Sequence, residues 1–200
     1  MIFGVQWYYW LILVVVFIAT IVLFIKASNA SKLRRERLKK EAAIWQRDYD
    51  LRQKYSVLTE EKLKECTDSE LLHAVAMNIQ VSLENATNMN EAFEALPTEK
   101  KYVYTLEYFD EDARLGLSHF FKNNGAPLLP NVTSALKAIG AEEICVYVDR
   151  LYPMFDPDSE VSVDYEFIAK TDEQFKEKYD SQNLYNKTAI YIKSNKEIFL

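Results

Sequence analysis

Residues 98–125 read TEKKYVYTLEYFDEDARLGLSHFFKNNG, and the period of this stretch decides the fold class. Val103, Leu106, Phe109 and Ala113 recur every three or four positions and so fall along one side of a helix, with Thr98 placed as its N-cap after Pro97. Gly116 permits a break, because glycine enters unusual backbone conformations without a Cβ penalty. Leu117–Lys122 then makes a further turn or two before Asn123, Asn124 and Gly125 stop it. Phe120 and Phe121 occupy successive helical positions and point about 100° apart, so their rings should reach different helices of the core. That packing is expected to hold 117–122 against a helix over 131–139. An amphipathic helix, a glycine break and a short helix with two rings to bury specify an all-α domain.

The flanks carry the same period. Thr67 and Glu70 have capping-box spacing, and Leu71, Leu72, Val75, Ile79 and Leu83 follow at helical intervals. A short helix is expected over 90–96, closed by Pro97. Downstream, Pro130 or Asn131 opens a helix that Gly140 ends as its C′ residue, and 141–152 forms the next, stopping before Pro153. Residues 160–169 are ambiguous: Val161, Val163, Tyr165 and Phe167 alternate as in a strand, within helical surroundings. Helices over 172–179 and 184–196 close the chain. Residues 56–200 are therefore expected as one compact multi-helix domain, long enough to bury a core.

Charge divides the 200 residues into zones. Residues 1–25 hold no charged side chain, 26–54 carry a net +6, and 55–200 carry fourteen basic and twenty-six acidic residues, a net of −12. Behind a short tail at 1–6, residues 7–25 read WYYWLILVVVFIATIVLFI, roughly 28 Å as a helix, which matches a bilayer's hydrocarbon thickness. Aromatic residues cluster at one end and bases follow at the other, so a single-pass transmembrane helix is expected, N-terminus outside and C-terminal domain cytoplasmic. Localisation at the cell membrane follows, with the lipid bilayer as a partner. Residues 26–55 lack Gly and Pro and read as a basic helical linker, its bases (26–54) at the cytoplasmic face near anionic headgroups. Two cysteines exclude a disulfide scaffold, and the acidic balance excludes a basic nucleic-acid-binding domain, so no direct nucleic-acid binding is expected.

A family pattern overlies the helical one. Glu111, Gly116, Leu117, His119, Phe120, Phe121 and Asn123 form a helix–glycine–aromatic stretch, and Leu136-Lys137-Ala138-Ile139-Gly140-Ala141 follows as a helix end. Asp172-Glu173-Gln174-Phe175 and Tyr191-Ile192, with Asn195 and Phe199, complete it. Over roughly 100–200 the chain resembles the DNA mimic protein 19-like family, a bacterial domain family. It departs from that family's pattern at Ala113, Arg114 and Leu115, where members carry Asn-Asn-Gly, and at His119, where they carry Gln. The resemblance implies that Gly116, Leu117, His119, Phe120, Phe121, Asn123 and Gly140 serve the fold. It also implies that helical carboxylates present a DNA-like field to a basic protein.

No catalytic, metal or cofactor constellation emerges. His73 follows Cys66 by seven residues without a second close ligand pair, which fails zinc spacing. His119 beside two Phe reads as a packing residue rather than a base. Asp156, Asp158 and Glu160 begin like a calcium loop, but Val161 and Phe167 stand where that loop needs Gly and Glu. The four glycines are too scattered to cradle a phosphate. What remains is charge. Asp110, Glu111 and Asp112, with Glu142 and Glu143, are the candidate partner-binding carboxylates. The reading is a membrane-anchored protein-interaction domain that is not an enzyme, binds a basic, DNA-binding partner and is compatible with an oligomer. Its alternatives are an enzyme with an unrecognised site near His119 or Asp110–Asp112, and a membrane-tethered scaffold.

Overall fold

A computed structural model of the protein describes residues 51–200 apart from 126. From the first fifty residues it describes only 12–14, 17, 32, 34–36, 38–40, 42, 43, 45–47, 49 and 50. The chain divides into two units, Met1–Asp50 and Leu51–Leu200.

The all-helical class holds, but the transmembrane part of the expectation does not. A span needs an unbroken helix of about 20 apolar residues. Among the described residues no helix is long and apolar enough to cross a membrane. Within 7–25 only Ile12, Leu13, Val14 and Phe17 are described; they are helical, and four positions do not make a span. The rest of that stretch lies outside the described residues. The single-pass membrane protein, its cell-membrane location and its outside-to-cytoplasm orientation are corrected accordingly, since apolar composition supplied them and no described helix provides the span they require.

In the second unit residues 51–55 are helical, ten α-helices follow from Glu60 on, and the described residues hold no strand. They are α1 (Glu60–Glu65), α2 (Asp68–Glu84), α3 (Met89–Glu94), α4 (Thr98–Ala113), α5 (Leu117–Asn123), α6 (Val132–Ala138), α7 (Glu142–Phe155), α8 (Tyr165–Tyr179), α9 (Leu184–Ser194) and α10 (Lys196–Phe199). The Thr67 capping box forms: Glu70 N–H donates to the Thr67 hydroxyl, and Thr67 N–H donates to the Glu70 carboxylate at 3.0 Å. α1, absent from the sequence reading, starts at a Thr59 cap whose hydroxyl accepts from Lys62 N–H.

α4 is the central helix and touches α2, α5, α6, α9 and α10, while α2 and α9 pack on one another. Phe109 on α4 is fully buried, with ring centroids 5.2 Å from Phe120, 6.1 Å from Phe175 and 6.4 Å from Tyr179. Each such buried ring contributes about 1.5–3 kcal/mol relative to exposure. Phe120 and Phe121 do reach different helices: Phe120 meets Phe109 on α4, and Phe121 stacks on Phe155 of α7 at 5.1 Å. α5 consequently lodges against α4, α7 and α8 rather than against the expected 131–139 helix.

Three further expectations change. Thr98 begins α4 but does not cap it, because Pro97 holds the cap position and no side-chain bond is made there. α7 continues through Pro153 to Phe155. A proline one turn from a helix end removes a single bond, and the stacking of Phe155 on Phe121 compensates. The alternating Val161 and Val163 lie outside any regular element and are half-exposed, and α8 then starts where Asp164 accepts from Glu166 and Phe167 N–H, both at 3.0 Å. Without an adjacent strand, alternation has nothing to pair with, and the Asp cap wins.

Candidate functional site

Consecutive residues on a helix point about 100° apart, so Asp110, Glu111 and Asp112 cannot share one environment. Asp110 turns inward and is 4% exposed. Its carboxylate accepts from the Tyr179 hydroxyl on α8 at 2.5 Å and from Arg114 at 2.7 and 3.2 Å. Asp112 turns toward the end of α5, where Asn124 donates to it at 2.7 Å and the His119 ring lies 3.4 Å away. Glu111 faces a cleft of about 310 Å³ lined by His73, Glu107, Asp110, Glu111, Arg114 and Tyr185. α2, α4 and α9 supply these residues, with Arg114 on the turn after α4.

The cleft is charged and largely self-paired. His73 Nδ1 lies 2.5 Å from Glu107 Oε1, joining α2 to α4. The Arg114 guanidinium sits 5.0 Å from the centre of the Tyr185 ring. Burial, and then the Asp110 carboxylate, push the Tyr185 hydroxyl up to about 12, so it stays protonated and can donate. Glu111 makes no hydrogen bond or ion pair among the described residues. Although its residue is exposed, partial desolvation, followed by the Glu107 and Asp112 carboxylates, raises its carboxyl above the usual range. Beside the cleft, Tyr104 and Tyr108 of α4 both donate to Gln80 of α2 or to each other. Burial raises the Tyr108 hydroxyl, and the charges of Glu111, Glu107 and Glu84 add to it. Three carboxylates from two helices therefore act on one spot.

The expected residues separate. Asp110 and Glu111 line the cleft, Asp112 braces the α5 turn, and Glu142 and Glu143 lie on the first turn of α7 outside it. Glu143 accepts from Gln182 at 3.0 Å, and Glu142 is exposed. Gly116 adopts φ 140°, and a Cβ there would meet the Asp172 carboxylate at 3.1 Å. Leu117, Phe120 and Phe121 are buried. His119 and Asn123 touch each other, one helical turn apart. Gly140 adopts φ 72° after α6, with its carbonyl accepting from Lys187. His73, Glu107 and Tyr185 were missed. Glu107 stands four residues before Glu111, on the same helix face, and that spacing was the available signal.

The fold and site define an acidic, all-helical domain with a charged cleft against its central helix. The family model described as DMP19-like protein matches residues 94–195, slightly more than half of the chain, and the chain belongs to that family. The match runs from the end of α3 to the end of α9 and so contains α4 and the glycine break. No curated protein matches, and no solved structure does.

Proposed function

We propose that this domain binds the DNA-binding face of a basic protein, with Glu107 and Glu111 standing where backbone phosphates would. The family supports a DNA-mimic-like domain. The single observation that carries the finer reading is Glu111, a carboxylate on the central helix that makes no hydrogen bond or ion pair among the described residues and has the Glu107 and Asp112 carboxylates beside it. Glu107 and Glu111 are one turn apart, which places their Cβ atoms about 5–6 Å from each other. An incoming ammonium or guanidinium relieves the repulsion between them. The net −12 of residues 55–200 steers such a partner over a longer range, as a phosphate backbone does.

The cleft supports binding better than it supports proton-transfer chemistry. Asp110 is committed to Tyr179 and Arg114, and Glu107 to His73. Glu111 makes no hydrogen bond to a base or orienting group among the described residues, whereas an acid–base pair is built on one. Competition tests the proposal. The full chain is titrated into complexes of duplex DNA with each basic regulator of the same cell, and free DNA is read by mobility shift. Release of DNA from at least one regulator, weakening as salt rises, is expected. Failure to displace any of them at low salt contradicts it.

A further inference from the structure

A second recess lies apart from the acidic cleft, between α1, α2 and α9–α10. It encloses about 250 Å³. Its floor is apolar: Leu63, Leu71 and Ile192 are 8%, 0% and 1% exposed. Its rim is basic, formed by Lys64, Lys193 and Lys196 around a single carboxylate, Glu60. Three of the fourteen bases of residues 55–200 thus gather at one opening.

The charges at this rim do not balance. Lys64 and Lys196 both contact the same oxygen, Glu60 Oε1, at 3.1 and 3.0 Å. Lys193 contacts Asp68 at 2.7 Å. Three ammonium groups therefore share two carboxylates, and two of them share one oxygen. The pairs are about half exposed or more, with lysine side chains 51–72% accessible. Such pairs add little stability and exchange partners readily. One further anion at the rim would separate the doubled contact on Glu60 and leave each lysine its own acceptor.

We infer that this recess binds a small amphipathic carboxylate, an acyl chain lying on Leu63, Leu71 and Ile192 with its headgroup bridging Lys64 and Lys196. The basic rim disfavours a cationic or neutral amphiphile, and the apolar floor gives a purely polar anion nothing to bury. The volume limits the occupant to a short or medium chain. This site is independent of the acidic cleft, and its occupant is opposite in charge to the partner proposed there.

The test is calorimetric titration of the full chain with decanoate below its micelle concentration. Decyltrimethylammonium (same tail, opposite charge) and acetate (same head, no tail) are titrated in parallel. Saturable one-to-one binding of decanoate is expected, at least about tenfold tighter than either control, as loss of one charged contact or the apolar term would give. Lys64→Gln with Lys196→Gln, both at exposed positions, should weaken decanoate about tenfold without altering the circular dichroism spectrum or thermal midpoint appreciably. Equal binding of the cationic amphiphile, unchanged binding by the double variant, or no saturable decanoate binding would each overturn the inference.

Discussion

Asp172 on α8 caps a helix to which it does not belong: it accepts the Ser118 backbone N–H at 2.9 Å and the Ser118 hydroxyl at 2.5 Å. The reason lies in Gly116, which holds the N-cap position of α5 and has no side chain to offer. α5 begins with unsatisfied N–H groups, and a carboxylate fifty-four residues away meets one of them. Asp172→Ala should therefore destabilise the domain by about 1–2 kcal/mol, the usual cost of losing a cap. Gly116→Ala should cost more than about 1 kcal/mol, since it combines φ 140° with a Cβ 3.1 Å from that carboxylate. Urea unfolding midpoints check both, and wild-type stability in either variant would refute the cap.

Phe120 and Phe121 bind α5 to two different helices, so each should be costly to remove. Phe120→Ala and Phe121→Ala are each expected to lose about 3–5 kcal/mol. Leu115→Ala, at a position 63% exposed, should change stability by less than about 0.5 kcal/mol. Guanidinium denaturation of the three variants gives the comparison.

Asp110 belongs to the core as much as to the cleft. Asp110→Ala leaves the Tyr179 hydroxyl without its short acceptor contact and should cost about 1–3 kcal/mol. An Asp110 substitution thus confounds any binding test with unfolding. Thermal unfolding of Asp110→Ala beside Glu111→Gln separates a structural carboxylate from a binding one.

Glu111 gives a prediction with a definite sign in pH. Its carboxyl is raised in the folded protein above the ordinary value of 4.5. The folded state therefore holds this proton more tightly than the unfolded chain, and stability falls as pH rises from 4.5 through the raised folded value. Glu111→Gln removes that penalty. The variant should melt higher than wild type at neutral pH, with the gain vanishing below about pH 4 as both forms become neutral. Glu70 has the opposite sign. The Thr67 backbone N–H lowers its carboxyl, so its contribution is present at neutral pH and is lost on acidification. Melting curves of Glu111→Gln across pH 3–8 test the first, and an unchanged difference at all pH values would contradict it.

Local periodicity made α2, α4 and α5 readable from the chain, because helical spacing and a capping box are recorded within a few residues. The buried Phe pair was readable for the same reason. What Phe121 stacks on was not, since Phe155 lies beyond a proline that locally signals a stop. The Asp172–Ser118 cap was hidden by fifty-four residues of separation. At the site, the acidic run Asp110–Asp112 was visible, but its division was not. Three neighbouring carboxylates look alike in sequence, and the fold sends one to Tyr179, one to the cleft and one to Asn124. His73 joins them only because α2 packs on α4. Residues 7–25 show the converse failure, in which composition suggested a span that the described helices do not provide.

The most direct measurement is displacement of a basic regulator from duplex DNA by the full chain, compared between wild type and Glu107→Gln with Glu111→Gln over a salt series. Wild type should displace at low salt and lose potency steeply as salt rises, while the double variant, folded by circular dichroism, should be weaker by at least about tenfold with a shallower salt slope. Equal displacement by the folded double variant would contradict the assignment of the α4 carboxylates as the DNA-like surface.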